Sequence, residues 1–318
     1  MFVGHGLAAF ALVAGGARLL GCSRGRALSL GVSAGAFATL PDVDIIYAPV
    51  GMLGASGALD AAEEFWAAST LVHRAVTHSL VVGTIAALSF WFWSRTEDTV
   101  SVEHGVPLLS LVSLVAVAGF VSGPLGALVM GVFALVGLCI TEGAMRYGDL
   151  LPKEIFLTAL VGLISHPFGD LFTGEPPEMF YPFDVGLVSQ HIALAADPTL
   201  HLLGTFWLEL STIWLAAVVY CWLTDRRLRT HIHGRAAAGL AYAAAALAVP
   251  APTLASSYQF VFSVLAVGVV GPAPFVRHGR KAYRVRRIDS ERMLTAALTG
   301  LAAVTLASLA YSVVYVAL

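Results

Sequence analysis

The chain has 318 residues, of which 58% are apolar and only 12% charged, and its formal net charge is −2. A soluble domain carries about 25% charged residues. With a mean hydropathy of +0.82, the composition excludes an ordinary soluble globule and a disordered chain and points to a polytopic membrane protein.

The small net charge gives no footing for nucleic acid as a partner. Met1 to Gly21 is apolar but lacks a basic leading segment and an Ala-x-Ala site, so it reads as a first span rather than a cleaved signal. Apolar stretches bounded by charges, Gly or Pro follow at 27–40, 79–94, 106–122, 125–145, 154–172, 203–223, 236–256, 258–276 and 293–316. They predict an all-α transmembrane helical bundle of about ten spans, with 8–10 as the range. Gly123-Pro124 splits the pair at 106–145 as either a tight hairpin or a kink. Pro250-Ala251-Pro252 breaks the eighth stretch near its end. Cys22, Cys139 and Cys221 lie far apart without metal-ligand spacing and read as small core hydrophobes.

Basic residues set the expected orientation. With the N-terminus outside, Arg18, Arg24, Arg26, Arg95, Arg146, Lys153 and the loops 225–235 and 277–292 all fall on the cytoplasmic side. Of the 18 Lys and Arg, Arg74 alone is external, in keeping with the positive-inside rule. The basic run 277–287 reads as a cytoplasmic anchor. Multi-pass placement in the cell membrane, among membrane lipids, is the expectation.

Ionisable groups at membrane depth carry a functional reading by default, and four clusters qualify. His5 stands at the outer end of the first stretch. Asp42 and Asp44 follow Pro41 at the end of the second, read either as a polar stop or as hard oxygen ligands for a divalent cation. His73, Arg74 and His78 precede the third; on a helix Arg74 and His78 share a face, while His73 and His78 lie about 140° apart. Imidazoles there suit a metal, and a guanidinium suits an anionic oxygen. His166 and Asp170, one helical turn apart, project from one face with Pro167 between them, which predicts a kink.

Under this topology His5, Asp42, Asp44, His73, His78, His166 and Asp170 all reach the external membrane face. That donor set suits one or two divalent ions, zinc first by ligand type, with manganese or iron as alternatives. Such an ion makes water a nucleophile at neutral pH.

The order of Gly4-His5, Leu40-Pro41-Asp42-Val43-Asp44, His73 to Leu80 and His166-x-x-x-Asp170, with a looser match at Gly174 and Pro182, resembles the YdjM-type inner-membrane proteins. These are described as membrane-bound metal-dependent hydrolases. The resemblance covers residues 1–185 and implies a metal-dependent-hydrolase-like membrane domain there, with 186–318 as C-terminal helices packing on it. The His/Asp order is in turn similar to the zinc-dependent phospholipase C and P1 nuclease group. By that similarity His5, Asp42 or Asp44, His73 or His78, His166 and Asp170 are metal ligands. The later His-x-x-x-Glu of that group is missing: position 205, four residues after His201, is Thr.

The expected function is hydrolysis of a phosphoester substrate, in a phospholipid or lipid-linked headgroup, with Arg74 stabilising charge on the phosphoryl oxygens and Asp44, if not a ligand, orienting the water. The rivals are a metal-ion or small-solute transporter and a membrane protein with a structural metal site. Thr77 and Ser79 read as capping or supporting groups. The acidic loop from Thr173 to Leu200 reads as a surface loop or a lid.

Overall fold

The computed structural model describes residues 2–68, 76–95, 105–172, 176–186, 188, 190–273 and 290–318. It divides into two compact units, Met1–Ile192 and Ala193–Leu318. Among the described residues all regular structure is helical.

The first unit holds α1 (Phe2–Leu19), α2 (Arg24–Thr39), two 3-10 turns (Pro41–Ile45 and Ala48–Met52), α3 (Ala58–Ala68), α4 (Leu80–Ser94), α5 (Gly105–Gly148) and α6 (Pro152–Asp170). Gly21, at φ +92°, ends α1 in the left-handed conformation that glycine adopts freely. The Ser23 hydroxyl then caps α2 by accepting from the Arg26 N–H. α1 and α2 pack backbone to backbone: a Cβ on Gly35 would stand 2.8 Å from the Gly6 carbonyl oxygen. α6 comes as close to α2 at Gly162, where a Cβ would lie 2.7 Å from the Ala34 oxygen and 2.8 Å from the Ala38 nitrogen. Small residues are what permit such contacts between helices. Phe37, Phe90, Phe133, Leu163 and Ile155 fill the space between α2, α4, α5 and α6.

Gly123, at φ +74° and ψ −170°, reverses α5. A Cβ on Gly126 would stand 2.9 Å from the Ala118 oxygen, and one on Gly119 3.2 Å from the Ala127 Cβ. In a straight helix residues eight apart are about 12 Å apart along the axis. The Gly123-Pro124 break is therefore a tight hairpin, whose arms 105–122 and 124–148 run back to back. At the far end of α2 the Arg26 guanidinium pairs with Glu154 and donates to the carbonyls of Gly148 (3.2 Å) and Asp149 (2.8 Å), closing the α5–α6 corner.

The second unit holds α7 (Pro198–Thr224), 3-10 stretches at Leu228–His231 and Gly234–Ala244, α8 (Ala245–Ala248), a 3-10 turn (Leu254–Ser256), α9 (Ser257–Ala266), a further turn (Val267–Val270) and α10 (Ser290–Ala317). Trp207 and Trp214 on α7 donate to Ser312 and Thr305 on α10. Phe260, Tyr242 and Tyr311 form an aromatic cluster.

The described residues do not support the expectation of about ten spans. Among the described residues three helical segments are long and apolar enough to cross a membrane, Gly105–Gly148, Pro198–Thr224 and Ser290–Ala317, the first of them folded back at Gly123 into two arms. α4, with 15 residues, is about 22 Å long at 1.5 Å per residue, short of a hydrocarbon core of about 30 Å. The stretch 236–256 is mostly 3-10 turns, and its last helical residues give way at Val249 (φ −122°, ψ 146°), extended before Pro250, as a residue preceding proline favours. The apolar Ala- and Gly-rich stretches serve contact between helices, which composition does not separate from contact with lipid. α6 runs through Pro167 to Asp170 as one helix. Cys221 is buried, but Cys139 is exposed rather than in the core.

Candidate metal centre

Four helix ends of the first unit meet at one point. α1 brings His5 from its first turn, the turn after α2 brings Asp42 and Asp44, the turn before α4 brings Thr77 and His78, and the last turn of α6 brings His166 and Asp170. His5, Asp44, His78, His166 and Asp170 are all buried, at 5% exposure or less. Asp42 keeps a slightly open side chain, at 13%.

Four donor atoms face one another: Asp42 Oδ1, His78 Nε2, His166 Nε2 and Asp170 Oδ2. The distances among them are 3.0 Å (His78 to His166), 3.2 Å (His78 to Asp170), 3.4 Å (His166 to Asp170), 3.5 Å (Asp42 to His166) and 3.9 Å (Asp42 to His78). Donors held at 2.0–2.2 Å by a tetrahedral ion stand about 3.3–3.6 Å apart. These five separations bracket that spacing, and Asp42, His78 and His166 form one group of donors close enough to share a metal ion. A second observation agrees: Asp42 Oδ2 is shielded from solvent and has no hydrogen-bond partner among the described residues, an arrangement that costs free energy unless a cation or further donor offsets it. Burial pushes the Asp42 carboxyl up to about 6 and the His78 imidazole down to about 4, both away from the charged form.

The surroundings orient these donors. The Ala38 carbonyl, one of the last of α2 and so without a partner in its own helix, lies 2.6 Å from His166 Nδ1. A carbonyl only accepts, so Nδ1 carries the hydrogen and Nε2 presents its lone pair to the cluster. His5 Nε2 meets Asp170 Oδ1 at 3.1 Å, and its ring lies on that of His166 with centroids 3.9 Å apart. His5, His166 and Asp170 make a second group of donors close enough to share an ion. Gly169 makes room for the His5 ring, since a Cβ there would stand 2.6 Å from Nδ1 and closer still to Cε1.

On the far side of His78, Nδ1 lies 3.1 Å from Thr77 Oγ1 and 3.4 Å from Asp44 Oδ2. Ser79 caps α4 by accepting from Val81 and Val82, and its hydroxyl donates to the Tyr181 carbonyl at 2.8 Å. Leu80 N–H donates to the Met179 carbonyl, so part of the acidic loop runs beside His78. Asp197, read as loop, instead caps α7.

The chain matches the family model of the YdjM inner membrane protein over residues 1–249. It belongs to the YdjM inner membrane protein family. No curated protein and no solved structure matches it. The YdjM match includes every residue of the cluster and extends past 185, through α7.

Of the residues read from the sequence of this YdjM protein, His5, Asp42, Asp44, His78, His166 and Asp170 come together. His73 and Arg74 lie outside the described residues, as does the whole basic run 277–287. Sequence reasoning missed the Ala38 carbonyl, which has no side-chain signature, and Gly169. A glycine inside a helix costs about 1 kcal/mol against alanine, and that cost was the signal that Gly169 has a steric role.

Proposed function

We propose that this YdjM-family protein is a membrane-embedded metal-dependent hydrolase acting on a phosphoester of a phospholipid or lipid-linked headgroup. The observation that carries the reading is the convergence of Asp42, His78, His166 and Asp170 at ligand spacing, on the ends of three segments. When bound, a divalent ion there supplies Lewis acidity toward a phosphoryl oxygen and acidifies water. The chain's own part is to hold that position: His166 is oriented by the Ala38 carbonyl, and Asp170 is braced by His5. Asp42, the one slightly open donor, marks the side from which substrate arrives. Arg74, four residues before His78, is the candidate for binding anionic phosphoryl oxygens.

A lipid substrate is favoured by position. Tyr181 links the cluster to the α5 hairpin, its carbonyl accepting from Ser79 beside His78 and its hydroxyl meeting Ser122 at 3.0 Å, next to the Gly123 turn. If the arms of α5 cross the bilayer, that turn and the cluster lie together at a membrane face. Ile46, Val50 and Leu53, just after Asp44, are exposed apolar residues at 53–80%, suited to the headgroup boundary. The external face is the side the basic residues favour.

The near-complete burial of three of the four donors favours a second reading, a closed structural ion. Elemental analysis of detergent-purified protein, with His166→Ala and Asp42→Ala beside it, tests the site: about one or two equivalents of metal, lost in both variants, is the expected result. Metal content unchanged in the variants refutes it. Release of phosphate or headgroup from phospholipid vesicles that depends on the same two residues separates hydrolase from structural ion.

A further inference from the structure

The two imidazoles that face each other across the cluster are oriented by different means. His166 is held by a backbone carbonyl, whereas the partners of His78 Nδ1 are side chains, Thr77 Oγ1 at 3.1 Å and Asp44 Oδ2 at 3.4 Å. The Thr77 hydroxyl also lies 2.9 Å from the Pro41 carbonyl. That carbonyl and Asp44 Oδ2, 3.5 Å from the same hydroxyl, can only accept, so with the Thr77 hydrogen directed to either of them Oγ1 faces His78 with its lone pairs. Both groups on this side can therefore accept a hydrogen on Nδ1, the tautomer that frees Nε2 of His78 for an ion shared with His166 Nε2, 3.0 Å away, and Asp170 Oδ2, 3.2 Å away.

We infer that Thr77 and Asp44 are positioning residues for the metal centre: together they accept the Nδ1 hydrogen of His78 and hold its Nε2 toward the cluster. The two nitrogens of an imidazole face away from each other, so an oxygen set against Nδ1 does not share an ion with Nε2. Asp44 is thereby a support for a ligand, neither a ligand nor the group that orients water. Its complete burial, at 0% exposure, agrees. The inference rests on the metal reading proposed above and adds to it the residues that set the geometry of one ligand, as outer partners of metal-bound histidines commonly do.

The test is titration of the full-length, detergent-purified, metal-stripped protein with cobalt and with zinc against a competing chelator. Thr77→Val, Thr77→Ser, Asp44→Asn and Asp42→Asn are compared with wild type, and the thermal midpoint of each metal-free form is recorded. Thr77→Val and Asp44→Asn are expected to keep the wild-type stoichiometry and cobalt absorption bands while binding about 10–100-fold more weakly, the usual cost of removing an outer partner. Thr77→Ser, which restores the acceptor, is expected to recover affinity, an outcome that general loosening of the fold would not give. Asp42→Asn is expected to shift the bands or abolish binding. Wild-type affinity in both Thr77→Val and Asp44→Asn overturns the inference, and so does an Asp44→Asn spectrum shifted like that of Asp42→Asn. A wild-type protein that takes up neither ion refutes the metal reading itself, a result distinguishable from the other two.

Discussion

Gly169→Ala gives the sharpest test of how the cluster is packed. Inside a helix, alanine gains up to about 1 kcal/mol over glycine. At Gly169 the new methyl would stand 2.6 Å from His5 Nδ1, well inside van der Waals contact, and both neighbours are helical and buried. Forcing a methyl into such a space costs about 1–3 kcal/mol. If the His5 ring swings away instead, it gives up its 3.1 Å contact with Asp170, and a buried polar group left short of a partner costs about 1–3 kcal/mol. Either route exceeds the gain in helix propensity, so the variant is expected to be less stable by about 1–2 kcal/mol net and to hold metal more weakly. Gly131→Ala, on α5 with nothing within 4 Å of its added Cβ, is the control and is expected to be neutral or more stable. Thermal unfolding in detergent, with and without chelator, and metal content of both variants read the outcome. A Gly169→Ala protein as stable as Gly131→Ala, with full metal content, would refute the placement of His5 against α6.

Two further predictions use other parts of the first unit. Metal retention is expected to fall first as the pH drops through the range where His166 takes up a proton, because against burial the hydrogen bond to Asp170 and the Asp42 charge hold that imidazole above its usual value. It falls further below about 6, where burial has raised the Asp42 carboxyl to about 6 and protons compete for that oxygen too. His78, lowered to about 4, adds competition only below that, and full metal content after equilibration at pH near 4.5 would exclude Asp42 as a ligand. Arg26→Ala removes the Glu154 pair and two hydrogen bonds to the α5–α6 corner, a loss of about 1–2 kcal/mol for a partly exposed cluster. Metal content should be unaltered, because Arg26 lies at the end of α2 away from Ala38. Arg26→Lys should recover little, since lysine lacks the fork that reaches a carboxylate and two carbonyls at once. A thermal midpoint equal to wild type in Arg26→Ala would contradict the reading of this corner.

The cluster was legible in the sequence because Asp and His are conspicuous among apolar residues. His5 and Asp170 are 165 residues apart, yet each stands at the end of an apolar stretch, and stretches of alternating direction bring such ends together. The Gly123-Pro124 break was also legible as a break, and only the contacts of Gly119 and Gly126 decide that it is a hairpin. The number of spans was not legible. Gly6, Gly31, Gly35 and Gly162 lie within apolar stretches, but they serve backbone contact between helices, and the hydropathy of a stretch scores that burial and lipid exposure alike. Nor were the groups behind the ligands legible in full: Thr77 reads from sequence as either a cap or a supporting group, and the acceptor at Ala38 belongs to the backbone.

The close packing of α2 on α6 and the orientation of the cluster have one cause. Gly162 lets the α6 backbone touch α2 at Ala34 and Ala38, and one turn later along α6 the same approach puts the Ala38 carbonyl 2.6 Å from His166 Nδ1. The carbonyl is available because α2 ends at Thr39, leaving its last acceptors unused. α2 ends there because Pro41 follows, and Pro41 in turn opens the 3-10 turn that carries Asp42 and Asp44 and offers its own carbonyl to Thr77. One helix end thus supplies a carboxylate to the cluster, orients one histidine directly and orients the other through a hydroxyl. The partial negative charge at the carboxyl-terminal ends of α2 and α6 adds to Asp42 and Asp170, so the site favours a cation even before its side chains are counted.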